Sequence, residues 1–252
     1  GMDRSRVLFF DLELTGFYDR DEIISISICD ANGNMIMNTL VRPTHTRKWN
    51  KTEKIHGITP EMTVGAPTLE ELTPRIKEIF AGADRIIAYG VSTDYSHIKY
   101  IYPTEEERRA LWAKIRCCAN EFVRYIHECR PEVEHASLTD AMACLGIEWD
   151  GVAHTSIADT IGCMKVWAKL FPNYYIETGA ADPDPEAPAE DKYSVCDDND
   201  DDEGDEEAAA IDPAERSTLF DIDLYALAAD DGSDDDNESA AEAGADGASD
   251  AE

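Results

Sequence analysis

The sequence predicts an α/β domain, a mixed β-sheet flanked by helices, followed by a disordered acidic tail. Three strand-like runs open the chain, helical periodicity dominates after residue 68, and acidic residues concentrate near the C-terminal end. Residues 1–175 contain 20 Lys+Arg and 25 Asp+Glu, whereas residues 176–252 contain 2 and 29. We therefore expect one folded domain over residues 6–175. Residues 176–252 should be mostly disordered, because so charged a segment buries too little apolar surface to offset its ordering entropy.

Three apolar runs at the start of the chain are typical of strands: Val7–Gly16, Ile23–Cys29 and Met35–Val41. The second run alternates Ile and Ser, and Asp30–Gly33 supplies the residue types of a turn before the third. Short connections between strands favour antiparallel neighbours, so we expect a three-stranded meander.

The first strand carries two carboxylates at alternate positions. Side chains alternate between the faces of a strand, so Asp11 and Glu13 point the same way while Leu12 points into the opposite layer. Carboxylates about 7 Å apart on one strand face raise each other's pKa unless a cation lies between them. The pair therefore indicates a divalent metal site, with a solvated acidic edge strand as the alternative.

Helical periodicity after residue 68 predicts the layers that cover the sheet. A capping-box pattern of Thr68 and Glu71 begins the first helix, which ends at Gly82. The later elements are a strand over Arg85–Tyr89 and helices over Glu105–Cys129, Ser137–Gly146 and Ser156–Leu170. Strands and helices in this order predict a sheet with helical layers.

A basic loop is predicted over Arg42–His56, between the third strand and the first helix. Its basic residues are Arg42, Arg47, Lys48, Lys51 and Lys54. We interpret it as a guide for a single-stranded backbone, with Lys48 and Lys51 near phosphates and Trp49 stacking on a base. The alternative is a solvated charged loop.

Two further acids stand at positions typical of functional groups. Asp94 comes just after the Arg85–Tyr89 strand, where α/β folds place their sites, although it could instead cap a helix. Asp159 falls on the inward side of the last helix beside Ile157. An acid buried there needs a partner, which a metal ion would supply.

Four segments occur in the order and spacing of the DEDD-type 3′–5′ exonucleases: Phe10–Gly16, Ile55–Thr59, Ala88–Asp94 and His154–Asp159. The chain most resembles the DnaQ-like branch, related to DNA polymerase III epsilon, over about residues 6–172. The fold of that branch is ribonuclease H-like. His154 lies five residues before the last acid, the spacing of the His (DEDDh) subtype.

The resemblance implies a metal-dependent site. Its four acids, Asp11, Glu13, Asp94 and Asp159, would hold two divalent ions, Mg²⁺ or Mn²⁺. His154 would take a proton from the attacking water. The expected substrate contacts are Leu14, Thr15 and His56. The expected reaction removes nucleoside 5′-monophosphates from the 3′ end of single-stranded DNA or RNA.

Three positions depart from the family pattern. Gly90 stands where Asn is usual, Thr93 where an aromatic residue is usual, and Leu14 where Thr is common. Two alternatives stay open. One is an RNA-trimming exoribonuclease of the oligoribonuclease or ribonuclease T sort, since nothing in the sequence separates DNA from RNA. The other, which Gly90 and Thr93 favour, is a non-catalytic interaction module that retains the fold.

The rest of the sequence bears on partners and location. Within residues 217–228 of the tail, the apolar segment Leu219–Leu227 is typical of a piece that folds on a protein partner, with docking on its own domain as the alternative. The seven cysteines form no CxxC pair and predict reduced thiols. Because the first predicted strand begins within a few residues of Met2, we expect no signal peptide, and no apolar run approaches the roughly 18–20 residues that span a bilayer. We expect a cytoplasmic protein without a membrane partner.

Overall fold

The computed structural model describes residues 3–172. Five strands form one sheet in the order β3-β2-β1-β4-β5. They are β1 Val7–Leu14, β2 Ile23–Asp30, β3 Met35–Leu40, β4 Arg85–Ala88 and β5 Ile115–Cys117. Strand β2 pairs antiparallel with β1 and β3, whereas β4 pairs parallel with β1 and β5. This mixed sheet confirms the predicted α/β class and the meander.

Helices cover and connect the strands: α1 Asn50–His56, α2 Pro60–Thr63, α3 Leu69–Ala81, α4 Val91–Ile98, α5 Glu105–Lys114, α6 Cys118–Ile126, α7 Leu138–Cys144 and α8 Ser156–Leu170. Short 3₁₀ turns occupy Arg4–Arg6 and Lys99–Ile101. Within residues 3–172, no helix combines the length and apolar character needed to cross a membrane.

The two faces of β1 pack differently. Its even-numbered side chains join the core that includes α3, where the rings of Phe10 and Phe80 meet edge-on at 5.7 Å between centroids. Helix α8 packs across β1 and β2 on the other face, which carries Asp11 and Glu13. The central strand thus places two acids under one helix.

Capping signals in the sequence located several helix starts correctly. Thr68 and Glu71 form a reciprocal capping box at α3, and Ser137 and Asp140 form one at α7. Each box satisfies backbone N–H groups that have no partner within the helix.

The predicted single helix over Glu105–Cys129 is wrong. The chain leaves α5 at Lys114, forms the three buried residues of β5 and then enters α6. Ile115 and Cys117 pair in parallel register with Ile86 and Ala88 of β4. These positions form a strand although the local sequence favours a helix, because they gain burial and pairing with β4. The sequence pattern does not show this gain, since β4 is distant along the chain.

The predicted loop over Arg42–His56 is also partly wrong, since its second half forms helix α1. The sequence signal for the start of α1 is weak, because the N-cap residue, Trp49, makes no side-chain capping hydrogen bond. The acidic tail over 176–252 and the segment Leu219–Leu227 lie outside the described residues. The six cysteines inside that range are free, and all but Cys129 are buried.

Candidate active site

The C-terminal half of β1 holds the centre of the site. In the antiparallel ladder Asp11 lies opposite Ser27 and Glu13 opposite Ser25, so the two acids share the face covered by α8. The alternation of apolar and acidic residues in this strand sends Leu12 into the opposite core.

Helix α8 brings the third acid to this face. Thr155 caps the helix by accepting a hydrogen bond from Ala158 N–H, and Asp159 follows in the first turn. Ligand atoms of Asp11, Glu13 and Asp159 all lie within 4.8 Å of one another. We call these three residues, together with Asp94, the acidic cluster.

Asp94 reaches the acidic cluster from α4, which begins directly after β4. Asp94 is 7% exposed, and burial raises its pKa against the lowering effect of the Leu12 backbone N–H. Asp94 is outside the set of three acids that lie within 4.8 Å, yet it is close enough to raise the pKa of Asp11. Gly90 holds the N-cap position of α4, so Asp94 is an interior residue of the helix rather than its cap.

The electrostatics of the acidic cluster favour a cation. Burial, followed by the neighbouring acids, raises the pKa of Glu13 to about 8 and the pKa of Asp11 well above its usual range. Burial also raises the pKa values of Asp94 and Asp159, against one backbone hydrogen bond to each. Four such carboxyls cannot all ionise without a counter-charge.

One atom within the acidic cluster has no hydrogen-bond partner in residues 3–172. Oδ2 of Asp11 is buried and accepts no hydrogen bond from the described residues. An orphaned buried carboxylate oxygen is costly unless a cation binds it. Oxygen donors of this kind suit hard divalent ions, so the residues present fit a divalent metal.

His154 stands at the entrance to α8. Its side chain is exposed, its backbone N–H donates to Asp159 Oδ1 over 3.0 Å, and its charge lowers the pKa of Asp159. It is the one non-glycine residue of the range 3–172 with positive φ, at 66°. Strain of this kind persists where the surrounding structure holds it, often at functional sites.

The predicted substrate contacts Leu14, Thr15 and His56 lie together but are buried. His56 Nδ1 accepts from Ile58 N–H, so the ring is neutral and Nε2 donates to Leu14 O over 3.1 Å. Burial lowers the pKa of His56, in agreement with a neutral ring. His56 also borders a pocket of about 350 Å³ shared with Thr155.

The candidate substrate contacts of the basic loop differ in exposure. Lys48 and Lys51 are exposed, as a phosphate contact requires. Trp49 is 4% exposed, and its Nε1 donates to Ile58 O over 2.7 Å. Its ring therefore belongs to the core, and the prediction that it stacks on a base conflicts with this burial.

Sequence reasoning missed the contacts that hold α1 on the end of β1. Thr52 Oγ1 donates to Thr15 O over 3.0 Å, beside the bond from His56 to Leu14. No local pattern marks Thr52, because its partner is 37 residues away.

Phe17 and Tyr18, which follow the end of β1, form an exposed aromatic pair that the sequence analysis also missed. Each is 63% exposed. Two adjacent aromatic residues in a turn were the sequence signal that could have indicated this exposed pair.

The chain is similar to known nucleases. The family model described as exonuclease, of the RNase T type, matches residues 8–167. An uncharacterized exonuclease, CP81 of Escherichia phage 186, is 31% identical over 64% of this chain and 88% of that protein. The DNA polymerase III subunit epsilon of Aquifex aeolicus (strain VF5) is 28% identical over 68% of this chain and 83% of that subunit. A zinc-bound E. coli exonuclease I complex with single-stranded DNA shares the fold, with a TM-score of 0.53, 21% identity and coverage of 67% of this chain and 41% of that chain.

The ribonuclease H-like sheet and its clustered acids, together with the matching exonuclease model, identify the class of this chain, which is that of the 3′–5′ exonucleases. The chain belongs to the exonuclease family whose model it matches, within the DnaQ-like, DEDDh group. The resemblance read from the four sequence motifs is confirmed.

Proposed function

We propose that this chain removes nucleoside 5′-monophosphates one at a time from the 3′ end of single-stranded DNA. The observation that carries the proposal is the convergence of Asp11, Glu13 and Asp159, where no described residue donates a hydrogen bond to the buried Oδ2 of Asp11. Such a site is built to concentrate negative charge around a cation, as phosphodiester hydrolysis requires.

The metal requirement follows from the acidic cluster. Asp11, Glu13, Asp94 and Asp159 would hold two Mg²⁺ or Mn²⁺ ions. Bound ions of this kind stabilise the attacking and leaving oxygens of an in-line displacement. The protein orients its ligands beforehand, because Leu12 N–H fixes Asp94 and His154 N–H fixes Asp159.

His154 is the proposed general base. The His154 imidazole is exposed and can accept a proton from water at one ring nitrogen. The neighbouring Asp159 carboxylate would attract the positive charge that the imidazole gains. Holding His154 at positive φ costs free energy, which a catalytic role would explain.

The substrate would approach along the end of β1 and helix α1. Leu14 and Thr15 would contact the substrate where the approach meets the acidic cluster. The hydrogen bond from His56 Nε2 holds the Leu14 carbonyl in place. Lys48 and Lys51 would contact phosphates. Phe17 and Tyr18, which are exposed, would stack on bases in place of the buried Trp49.

DNA is the preferred substrate in this proposal because a relative at 28% identity is a subunit of a DNA polymerase. A Cβ built at Gly90 meets no atom within 4 Å, so packing does not require glycine at this position. RNA trimming is the second candidate, because the matching family model is of the RNase T type.

Purified full-length chain incubated with Mn²⁺ tests both candidates. The probes are DNA and RNA single strands of one sequence, labelled at the 5′ end and carrying either a free or a phosphorylated 3′ end. We expect stepwise shortening of the DNA from its free 3′ end, with His154→Ala and Asp11→Asn inactive. Faster shortening of the RNA would favour the second candidate. Binding of either strand without shortening would favour a non-catalytic module.

A further inference from the structure

Buried hydroxyl groups lie between β2 and the first turn of α8. Ser25, Ser27, Ser156 and Thr160 are 5%, 0%, 3% and 0% exposed. Ser156 Oγ lies 2.6 Å from Ser25 Oγ and 2.8 Å from Ser27 Oγ. Ser27 Oγ donates to Asn38 Oδ1 over 2.9 Å, and Thr160 Oγ1 donates to Ser156 O over 2.6 Å. We call Ser25, Ser27 and Ser156 the serine network.

The hydrogen bonds of the serine network run in one direction. Ser27 uses its only proton for Asn38, so Ser156 donates to Ser27. The proton of Ser156 is then used, so Ser25 donates to Ser156. Ser156 is the central member, and removing its hydroxyl would leave the buried donor of Ser25 without an acceptor.

On the sheet side, the serine network lies next to the acids of β1. Ser27 is directly opposite Asp11, and Ser25 is directly opposite Glu13. Directly opposed side chains on one face of an antiparallel pair are neighbours about 5 Å apart at Cβ. Any shift of β2 against α8 therefore moves α8 relative to these two acids.

On the helix side, Ser156 is the first residue of α8, one turn before Asp159. The same turn carries His154, whose backbone N–H is bound to Asp159 Oδ1. A displacement of this turn would move the third acid and the candidate base together.

We propose that Ser156 is a positioning residue, which sets where Asp159 and His154 stand relative to Asp11 and Glu13. A buried helix–sheet contact is ordinarily apolar and non-directional, whereas hydroxyl hydrogen bonds constrain both distance and angle. The Ile/Ser alternation of β2 thus gives one apolar face to the core and one hydroxyl face to the first turn of α8. This inference rests on the proposed function and concerns the same site.

Mn²⁺ binding to the full-length chain, measured by calorimetry without substrate, is the primary test. Ser156→Ala should weaken Mn²⁺ binding by about 10-fold, since residues that orient metal ligands typically matter at this level. It should lower kcat for a DNA oligonucleotide by about 10-fold, with KM changed less than kcat. The control is Thr73→Ala, which removes a half-buried hydroxyl from α3 in the opposite layer. It should leave both quantities unchanged.

Two further variants separate positioning from folding stability. Ser25→Ala removes the terminal donor and leaves no buried donor unpaired, so it should fold well and show a smaller loss of Mn²⁺ affinity. The triple change of Ser25, Ser27 and Ser156 to Ala removes the unpaired donor and should regain thermal stability relative to Ser156→Ala. Its Mn²⁺ affinity and kcat should stay low, because the directional contact is still missing.

Wild-type Mn²⁺ affinity and kcat in Ser156→Ala, with only a lowered melting temperature, would overturn the inference. Recovery of both quantities in the triple variant would also overturn it. A wild-type chain that binds Mn²⁺ but cleaves neither DNA nor RNA would defeat the proposed function. Weaker Mn²⁺ binding by Ser156→Ala would still support the positioning role in that case.

Discussion

Carboxylates in two regions of the domain meet opposite surroundings. In the acidic cluster, Asp11 and Glu13 face other acids, Asp11 Oδ2 has no partner among the described residues, and burial raises both pKa values. At the start of β2, the Glu22 carboxylate accepts the backbone N–H groups of Thr44, His45 and Thr46 at 2.6–3.2 Å. Burial alone would raise the pKa of Glu22, but these hydrogen bonds lower it.

The difference separates acids that serve the fold from acids that serve a ligand. The chain surrounds Glu22 with donors, which fixes the stretch after β3 against the start of β2. It gives the acidic cluster few donors, so these acids destabilise the metal-free protein and gain their counter-charge only from outside. Opposite effects of mutation and of pH follow for the two regions.

The largest expected effect comes from Asp11→Asn. This change removes one of the crowded charges and one ligand, so activity should fall more than about 100-fold, beyond the loss typical of residues that merely orient ligands. The metal-free variant should melt higher than the wild type, because like-charge repulsion is relieved. For a domain of this size, each 1 kcal/mol gained raises Tm by about 2–4 °C. Oligonucleotide cleavage and calorimetry in EDTA measure the two effects, and a lower Tm with retained activity would show that Asp11 is a structural acid.

The second effect is a pH dependence of stability that metal abolishes. The pKa of Glu13 is 4.5 when the chain is unfolded and about 8 when it is folded. Between these pH values the folded state keeps a proton that the unfolded state has lost. The free energy of unfolding therefore falls as pH rises through this window, by at most about 1.4 kcal/mol per pH unit for one group.

Melting in EDTA from pH 5 to pH 8.5 measures this slope, and saturating Mn²⁺ should flatten it because the cation stabilises the ionised form. Glu13→Gln provides the control, since it should reduce the slope without metal. If EDTA and Mn²⁺ give the same pH profile, the acidic cluster does not take up the ion.

A smaller effect of opposite sign is expected at Glu22. Its pKa is lowered on folding, so its contribution is present above the unfolded value of 4.5 and is lost as pH falls through the lower folded value. Glu22→Gln keeps one carbonyl acceptor but loses the charge, and should cost about 1 kcal/mol at pH 7 after allowance for solvent screening. Denaturant unfolding at pH 7 and pH 3.5 checks this, and an equal loss at both pH values would mean that the charge plays no part.

The outline of the fold and the acids of the site were predictable from local pattern. Alternation in β1 placed Asp11 and Glu13 on one face, and capping signals located the starts of α3 and α7. These features depend on neighbours a few residues apart, which the sequence shows directly.

Features that depend on distant partners were not predictable. β5 exists because Ile115–Cys117 pairs with β4, and Trp49 is buried because it packs with Ile24 of β2 and Leu40 of β3. The donors around Glu22 come from 22–24 residues away, so its environment could not be distinguished from that of Glu13 by pattern. The position after a strand indicated Asp94, the resemblance supplied His154 as the candidate base, and packing then determined how both are held.

The smallest effect concerns the exposed cations of the basic loop. A nucleic acid brought to this acidic site needs positive charge for its backbone, and exposed Lys48 and Lys51 flank Trp49 just before and within α1. The double change to Ala should weaken binding of a single strand and lower the slope of log affinity against log salt by about 1.4, or 0.7 per phosphate contact. Binding is measured from 50 to 200 mM salt with Ca²⁺ replacing Mn²⁺ to suppress cleavage. Lys169→Ala, a charge change at the far end of α8, is the control. An unchanged slope in the double variant would show that the nucleic acid does not contact Lys48 and Lys51. The acidic cluster would then bind its substrate through the metal ions alone.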